Sequence, residues 1–361
     1  MRSDIADWLA LANCPGLGPI GYRRIVAHFG SPGVALSASS SALRSIPQVG
    51  PEVARSIGMA SHDYAATQLE ACEKHSVSAI TLADSNYPTL LLETFAPPPV
   101  LFAKGSMEAL DRPTVAVVGA RHCSQYGRHI ARSFSEELAR RGICVVSGMA
   151  LGIDACAHEG ALKGGATAAI LGTGLDHPYP MSNLQLFHEI CESGVVISEF
   201  PMGTTVDPKY FPRRNRTISG ISQGVVVVEG GPRSGSLLTA QYALEQDREV
   251  FAVPGPVTSA KSLGPHHLIQ EGAHLAQSPD DICNEILGSK GSEHTPIVVP
   301  ETLSGIEGEI VSCLMSGHET HVDTIATEVK IPPHEALSIL LTLELEARVR
   351  QLPGKHFALA H

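Results

Sequence analysis

Residues 209 to 220 read "KYFPRRNRTISG", and their first eight positions hold a lysine, two aromatic rings and three arginines. The chain as a whole is acidic, with 26 Lys plus Arg against 37 Asp plus Glu and a formal net charge of -11. Arginines neutralise phosphates, and an aromatic face stacks an unpaired base with about 1 to 3 kcal/mol. Because the overall charge repels polyanions, the stretch indicates a local site for single-stranded nucleic acid.

Within this stretch, Tyr210 and Phe211 supply the flat faces on which an unpaired base could stack. Pro212 predicts the start of a helix, since proline is favoured at the first helical position. The first turn would then hold Arg213, Arg214, Asn215 and Arg216. Cations there oppose the helix dipole, and a bound anion would relieve the conflict. The alternative is that Asn215 and some of the arginines brace the loop by pairing with Glu199 or Glu229.

Three glycine-containing turns add further candidate anion contacts. Arg121 directly follows the apolar run "TVAVVGA", and the run "ICVVSGM" ends in Ser147 and Gly148. A helix that starts soon after this second run leaves free N–H groups, as helix N-termini do. The loop after "GVVVVEG" leads directly into a helix that a serine can cap. It offers phosphate contacts through Arg233, Ser234, Gly235 and Ser236.

Parallel strands must bring these turns together. Between about 112 and 285 the chain alternates Val/Ile-rich runs with helix-like stretches such as "GRHIARSFSEELARRG". This alternation predicts a doubly wound, Rossmann-like α/β fold with a mainly parallel sheet, covered on both faces. Ligands of such folds bind outside the carboxyl ends of the strands. The turns that follow the strands should therefore converge on one edge of the sheet.

The ends of the chain have other patterns, and the predicted domains are 1–65, 66–286 and 301–361, with a linker over 287–300. The first contains two Gly-Pro loops before amphipathic helices, in "CPGLGPIGYRRIVAHFG" and "IPQVGPEVARSIG". They resemble helix-hairpin-helix units of a SAM-like domain, or serve only as connectors between helices. The last has the pattern of a winged helix-turn-helix. It carries few basic residues where a major-groove reader needs them, which favours a protein-contact or regulatory role.

Several other functions are excluded or disfavoured by the motifs. The first strand-to-helix turn reads "GARHCSQYG", which lacks the G-x-G-x-x-G of dinucleotide sites, and the sequence has no G-x-x-x-x-G-K-[ST] loop. Its eight cysteines form no C-x-x-C pair, and its 17 histidines follow no metal-binding spacing. We therefore expect no cofactor, no metal and no catalytic residue. The apolar runs are too short to span a bilayer, which favours a cytoplasmic protein without membrane insertion.

Seven motifs in order resemble the DprA (Smf) family of DNA-processing proteins. They are "VAVVGAR", "VVSGMALGIDACAH", "ILGTGLDHPYPMSN", "SEFPMG", "FPRRNRTISG", "VVVVEGGPRSGSLLTAQYALEQDREVFAVPG" and "GPHHLIQEGA". The resemblance implies a non-enzymatic recombination mediator, a homodimer that protects incoming single-stranded DNA in natural transformation and loads the RecA recombinase. It implies DNA contacts by Arg121, Ser147, Gly148, Phe211 and the Ser234 to Ser236 turn, with Lys209 the nearest basic residue before the phenylalanine.

An enzyme is the alternative to a binding protein. A Rossmann-like nucleotide hydrolase or phosphoribohydrolase would use Glu199 or Glu229, beside a phosphate cradle, as its acid-base group. Related enzymes carry a G-G-x-G-T loop before the corresponding helix. The loop of this chain reads "GGPRSGS", which favours the binding protein.

Overall fold

The computed structural model describes residues 4–288, 306–314, 320–345, 349–352 and 354–359. The chain divides into two compact units, with the boundary between residues 290 and 291. Most of the predicted linker over 287–300 lies outside the described residues. None of the described helices is long and apolar enough to cross a membrane.

The first unit begins with six helices. They are α1 (Ile5–Ala12), α2 (Pro19–Phe29), α3 (Pro32–Leu36), α4 (Ser40–Arg44), α5 (Pro51–Gly58) and α6 (His62–His75). Both Gly-Pro loops start a helix as predicted, with glycine as the N-cap and proline in the first turn of α2 and of α5. Trp8, Leu11 and Tyr22 share one buried cluster with Val100 and Phe102 of the sheet. The helices thus pack directly on the sheet, and α6 runs across the boundary predicted at residue 65.

A nine-stranded sheet forms the centre of this unit. Its strands are β1 (Ser78–Thr81), β2 (Val100–Gly105), β3 (Thr114–Val118), β4 (Cys144–Ser147), β5 (Thr167–Leu171), β6 (Val195–Ser198), β7 (Gly224–Val227), β8 (Glu249–Ala252) and β9 (His274–Leu275). The spatial order is β1-β2-β6-β5-β4-β3-β7-β8-β9. Strands β1 and β2 pair antiparallel, and the sheet from β6 to β9 is parallel. The predicted α/β fold is confirmed, and the runs "TVAVVGA", "ICVVSGM" and "GVVVVEG" contain β3, β4 and β7.

Helices cover both faces of the sheet. They are α7 (Thr89–Leu92), α8 (Gln125–Arg140), α9 (Ile153–Gly164), α10 (Leu184–Ser193), α11 (Tyr210–Ile221), α12 (Gly235–Glu245), α13 (Leu263–Gln270) and α14 (Pro279–Ile286). Short 3₁₀ turns span Met107–Asp111 and Met181–Asn183. Helices α8 and α9 pack on one face through Phe134 and Ile153, whereas α11 and α12 pack on the other through Ile218 and Ala240.

The position of β3 decides where a ligand can bind. Strand β3 pairs with β4 on one side and with β7 on the other. The chain fills one half of the sheet from β3 through β6 and then returns to place β7 on the opposite side of β3. This is a topological switch point, and it opens a crevice at the carboxyl ends of β3 and β7.

The second unit is small and has its own core. Its elements are α15 (Ile306–Leu314), β10 (Thr320–His321), α16 (Val322–Val329), α17 (Pro333–Leu345), β11 (Val349–Leu352) and β12 (His356–Leu359). The strands form an antiparallel sheet in the order β10-β12-β11. Ile310, Ile325, Leu340 and Phe357 are fully buried at its centre. Three helices followed by a hairpin confirm the predicted winged-helix pattern.

Candidate nucleic-acid interface

The crevice at the switch point contains a groove of about 240 Å³ and a smaller adjoining pocket. Eight of the predicted site residues line the two. They are Arg121, Gly148, Phe211, Arg214, Asn215, Ser234, Gly235 and Ser236. Arg121 follows β3, Gly148 follows β4, and the serine turn follows β7, so the parallel strands bring these residues to one edge. The predicted convergence of the three turns is therefore present.

Two guanidinium groups lie close to the ring of Phe211. The Cζ atom of Arg121 is 5.1 Å from the centre of the phenyl ring, and that of Arg214 is 5.8 Å from it. Both distances fall within the range of cation–π attraction. A Cβ atom on Gly172 would come within 3.2 Å of the ring, so glycine at the end of β5 allows Phe211 to lie close to the sheet. Arg121 is exposed, whereas the side chain of Arg214 is buried.

Arg214 acts as a buried support beneath the groove. Its Nη1 donates a hydrogen bond of 3.2 Å to the Ile170 carbonyl of β5 and lies 4.0 Å from a carboxylate oxygen of Asp154. A Cβ atom on Gly148 would lie only 1.4 Å from the same nitrogen. Gly148 is thus required because the guanidinium passes directly over its backbone. This arrangement joins α11 to the ends of β4 and β5.

The anion cradle predicted after β4 is already occupied, so the expectation of free N–H groups in this turn is corrected. The carboxylate of buried Asp154 faces the backbone of Gly119, Gly148 and Ala150, whose N–H groups favour its charged form. Burial raises the pKa of Asp154, while Arg214 and these N–H groups oppose the shift. Ser147 is fully buried, and its hydroxyl donates to the Val117 carbonyl at 2.7 Å. Its hydroxyl is therefore turned away from any ligand.

Helix α11 begins at Tyr210, two residues before the predicted start at Pro212. Arg213 leaves the groove, because its Nε donates to the buried Glu199 carboxylate at 2.6 Å. Burial raises the pKa of Glu199, and the Arg213 charge opposes that shift. Asn215 donates from Nδ2 to the Gly235 carbonyl at 3.2 Å and so links α11 to α12. These contacts support the bracing alternative for Arg213 and Asn215.

The N-terminus of α12 completes the groove on the β7 side. Ser234 is the N-cap, and its hydroxyl accepts the Ser236 N–H at 3.4 Å. The two serine hydroxyls are 2.8 Å apart. Arg233 precedes this cap and is exposed. The turn therefore presents hydroxyls, a helix N-terminus and a cation to the same edge of the sheet, a combination that suits phosphate.

Four predicted residues are not among those that line the groove or its adjoining pocket. They are Ser147, Lys209, Arg216 and Arg233. The ammonium of Lys209 pairs with Asp207 at 2.8 Å and lies 5.0 Å from the centre of the Tyr210 ring. This ion pair is exposed, so it holds Lys209 only weakly.

The two glutamates of the enzyme alternative are both enclosed. Glu199 is held by Arg213, and Thr217 donates a further hydrogen bond to it at 3.3 Å. Glu229 accepts hydrogen bonds from the Ser124 backbone at 2.8 Å and from its hydroxyl at 2.6 Å. Ser124 is the N-cap of α8, so Glu229 stabilises the start of that helix. Neither glutamate lines the groove.

Sequence reasoning missed Tyr179 and Asp154. The Tyr179 ring is 6.1 Å from that of Phe211, is 39% exposed and lines the same pocket. It offers a second aromatic surface beside the first. The signals were present in "DHPYPMSN" and in "GIDACAH", where a tyrosine follows one strand and an acid opens a helix after another. Neither signal shows by itself that the side chain turns toward Phe211 or Arg214.

Comparison with known proteins identifies the family. The family model described as DNA recombination-mediator protein A matches residues 78–287, and the model described as DprA winged helix domain matches residues 296–355. The chain belongs to the DNA recombination-mediator protein A family. The groove lies entirely within the first matched region. The resemblance that the motifs indicated is therefore confirmed.

Individual relatives cover most of the chain. Protein Smf of Escherichia coli is 40% identical over 294 residues, which cover 77% of this chain and 76% of that protein. The crystal structure of DprA from Streptococcus pneumoniae has a TM-score of 0.70 and 34% identity, covering 78% of this chain and 98% of that one. A structure described by the single-stranded DNA binding mode of DprA from Helicobacter pylori has a TM-score of 0.54 and 28% identity, covering 60% and 97%.

Proposed function

We propose that this chain binds single-stranded DNA in the switch-point groove and acts there as a recombination mediator. The observation that carries the proposal is the pairing of exposed Arg121 with Phe211 over the groove. A cation and an aromatic face at one point suit a phosphate and an unpaired base. The Helicobacter pylori relative, which is described as binding single-stranded DNA, supports the same conclusion.

Some residues of the site would contact the DNA strand directly, and others would hold those residues in position. Arg121 is exposed, so a base can replace its guanidinium over Phe211 while the charge moves to a phosphate. The Ser234 to Ser236 turn and Arg233 receive further phosphates at the N-terminus of α12. Arg214 and Asn215 position Phe211 and the serine turn from below. Gly148 leaves room for the Arg214 guanidinium, Ser147 precedes it in the same turn, and Lys209 and Arg216 add charge nearby.

Titration of labelled single-stranded DNA at several salt concentrations tests the proposal. We expect tight binding that weakens as salt rises, with clear preference over duplex, because duplex bases are already stacked. Arg121→Glu should remove most of the affinity. Lys163→Glu is the matched control, since exposed Lys163 lies near the end of α9 that faces away from the groove. Equal affinity for duplex, or indifference to Arg121→Glu, would contradict the proposal.

We propose further that the protein is not an enzyme. The enclosure of Glu199 and Glu229 supports this, because an acid-base group must reach the reacting atoms. Nucleotide turnover at ordinary enzyme rates, abolished by Glu199→Gln or Glu229→Gln, would establish the hydrolase alternative instead.

The remaining parts of the proposal concern partners. We propose that the protein is a cytoplasmic homodimer that protects incoming DNA in natural transformation and loads RecA on it. Light scattering in solution tests the dimer. Filament assembly by RecA on DNA precoated with a single-strand binding protein tests loading, and the protein should shorten the delay before assembly. An unchanged delay would contradict RecA loading without affecting the proposal of DNA binding.

A further inference from the structure

A second cavity, of about 460 Å³, lies between α2 and the segment after α7. Its lining includes Arg23, Arg24, Glu93 and Phe95. The Phe95 side chain is 80% exposed, which is unusual for a phenylalanine held in a packed segment. Its neighbour Thr94 is buried and donates its hydroxyl to the Leu91 carbonyl at 2.7 Å. The backbone beside Phe95 is therefore fixed while the ring faces solvent.

The charges around the ring are mainly positive. Arg23 is exposed. Arg24 donates to the Gln48 side chain at 2.6 Å and to the Pro47 carbonyl at 3.4 Å, and both acceptors are neutral, so its charge is not cancelled by them. Glu93 is the one acid among the lining residues. Two guanidinium groups beside an exposed aromatic face reproduce the chemistry of the switch-point groove, in an otherwise acidic protein.

Helix α11 connects the two places. Phe211 lies in its first turn, and Gly220 lies near its other end, about 14 Å further along at 1.5 Å per residue. A Cβ atom on Gly220 would come within 2.7 Å of Leu91 and 3.3 Å of Thr94, so the segment before Phe95 packs against that end. Arg216 lies between the two ends of the helix and is half-buried. A strand that fills the groove must extend beyond it by at least this length of α11 to reach the second cavity.

We propose that Phe95 and Arg23 form a second contact for the DNA strand held in the switch-point groove, with a base on Phe95 and a phosphate on Arg23. This inference rests on the proposed function. It assigns a DNA-binding role to α2, in the helical part of the chain. It also makes the affinity depend on strand length, because only a longer strand reaches both contacts.

Oligothymidylates of about six and about 20 nucleotides distinguish the two contacts, since one binding site of this kind covers about 4 to 16 nucleotides. Phe95→Ala should leave binding of the short strand unchanged and weaken binding of the long strand at least about fivefold, the loss expected for one unstacked base. Arg23→Glu should also weaken only the long strand and lower its salt slope by about one. Glu93→Gln should tighten it about two- to fivefold, because an opposing charge is removed.

Two variants in the same group of helices serve as controls. Met59→Ala removes another exposed apolar side chain, and Arg55→Glu makes the same charge change on α5. Neither residue lines the second cavity, so both variants should bind both strands like the wild type. If Phe95→Ala and Arg23→Glu bind the long strand with wild-type affinity, the proposal of a second DNA contact is wrong. A surface that binds a protein instead of DNA would give this result. If wild-type protein binds neither strand, the proposed function itself fails.

Discussion

At the scale of single residues, the "RRNR" stretch of α11 gives one side-chain type opposite environments. Arg213 is held by Glu199, Arg214 is buried under Phe211, and the exposed cation over the ring comes from Arg121, about 90 positions earlier in the chain. Burying an arginine costs several kcal/mol unless it is paired. Asp154 and the Ile170 carbonyl partly offset that cost. The arginines of this stretch should therefore respond differently to substitution.

Phe211→Ala tests the stacking surface. Loss of the ring should lower the affinity for single-stranded DNA by about 1 to 3 kcal/mol per stacked base. Phe211→Tyr retains a flat ring and should bind like the wild type. Fluorescence anisotropy with a short labelled strand measures both. An alanine variant that binds as tightly as the tyrosine variant would mean that no base stacks at this position.

Gly148→Ala tests the support beneath the ring. The added methyl group occupies the position of the Arg214 guanidinium, which must then leave the Ile170 carbonyl and Asp154. We expect a loss of stability of about 3 kcal/mol or more, because a buried charge loses its partner, together with weaker DNA binding. Chemical denaturation and anisotropy measure the two effects. Gly203→Ala, at an exposed loop position with φ 85°, controls for an ordinary glycine replacement and should leave DNA binding unchanged.

At the scale of elements, the parallel strands place the candidate binding residues at one edge of the sheet. Buried acids stabilise the helices that pack against the sheet. Glu229 follows β7 but serves α8, whose first turn it holds through Ser124. A Cβ atom on Gly127 would approach the same carboxylate within 2.6 Å. The glycine therefore lets the helix start directly on the acid. A negative charge at a helix N-terminus is also favourable to the dipole.

Glu229→Gln tests this structural role. The variant loses the charge that stabilises the start of α8 and weakens two hydrogen bonds, which should lower the free energy of unfolding by about 1 to 3 kcal/mol. DNA affinity of the folded protein should not change. Glu245→Gln, on the exposed side of α12, is the control and should be nearly neutral. Wild-type stability of Glu229→Gln, measured by urea denaturation, would contradict the role.

The sequence predicted the strands and the edge better than it predicted the side-chain partners. The Val/Ile-rich runs, which alternate with helix-like stretches, identify β3 to β8, because buried parallel strands need continuous apolar runs. They also identify Arg121, Gly148 and Phe211 as neighbours. They do not show that Asp154 fills the cradle after β4, since that depends on how α9 enters the sheet. Nor do they show that Arg213 pairs with Glu199 while Arg214 is buried beneath the groove. That difference depends on the direction in which each residue projects from α11.

At the scale of the whole molecule, the stability of the fold should depend on pH through a buried histidine. His158 is fully buried, and its Nδ1 lies 2.7 Å from the Thr167 hydroxyl. Burial and the Arg214 charge lower its pKa from 6.5 to about 3. In the unfolded chain the ring takes up a proton below about pH 6.5, whereas the native state does so only near 3. The contribution of this group to stability is thus present above pH 6.5 and falls as the pH drops.

His158→Gln should therefore flatten the pH dependence of stability. For the wild type, this one residue lowers the free energy of unfolding by about 1.4 kcal/mol per pH unit between pH 6 and pH 4. The variant lacks that slope, whatever its stability at neutral pH. Urea denaturation at several pH values measures the difference, and His267→Gln, an exposed histidine, should keep the wild-type slope. Parallel curves for wild type and His158→Gln would show that the ring does not stay neutral.

The carboxylate of Asp154 has a consequence for competition inside a cell. It lies at the carboxyl ends of the strands, where a Rossmann-like fold binds the phosphate of a mononucleotide, and it faces the N–H groups of Gly119, Gly148 and Ala150. Free nucleotides vastly outnumber DNA strands, and a vacant cradle would be filled by them first. By supplying its own anion, the protein closes the turn after β4 to the phosphates of ATP and similar metabolites, so the N-terminus of α12 is left as the phosphate site of the groove. Only a ligand that repeats its bases and phosphates over several positions gains enough contacts to stay.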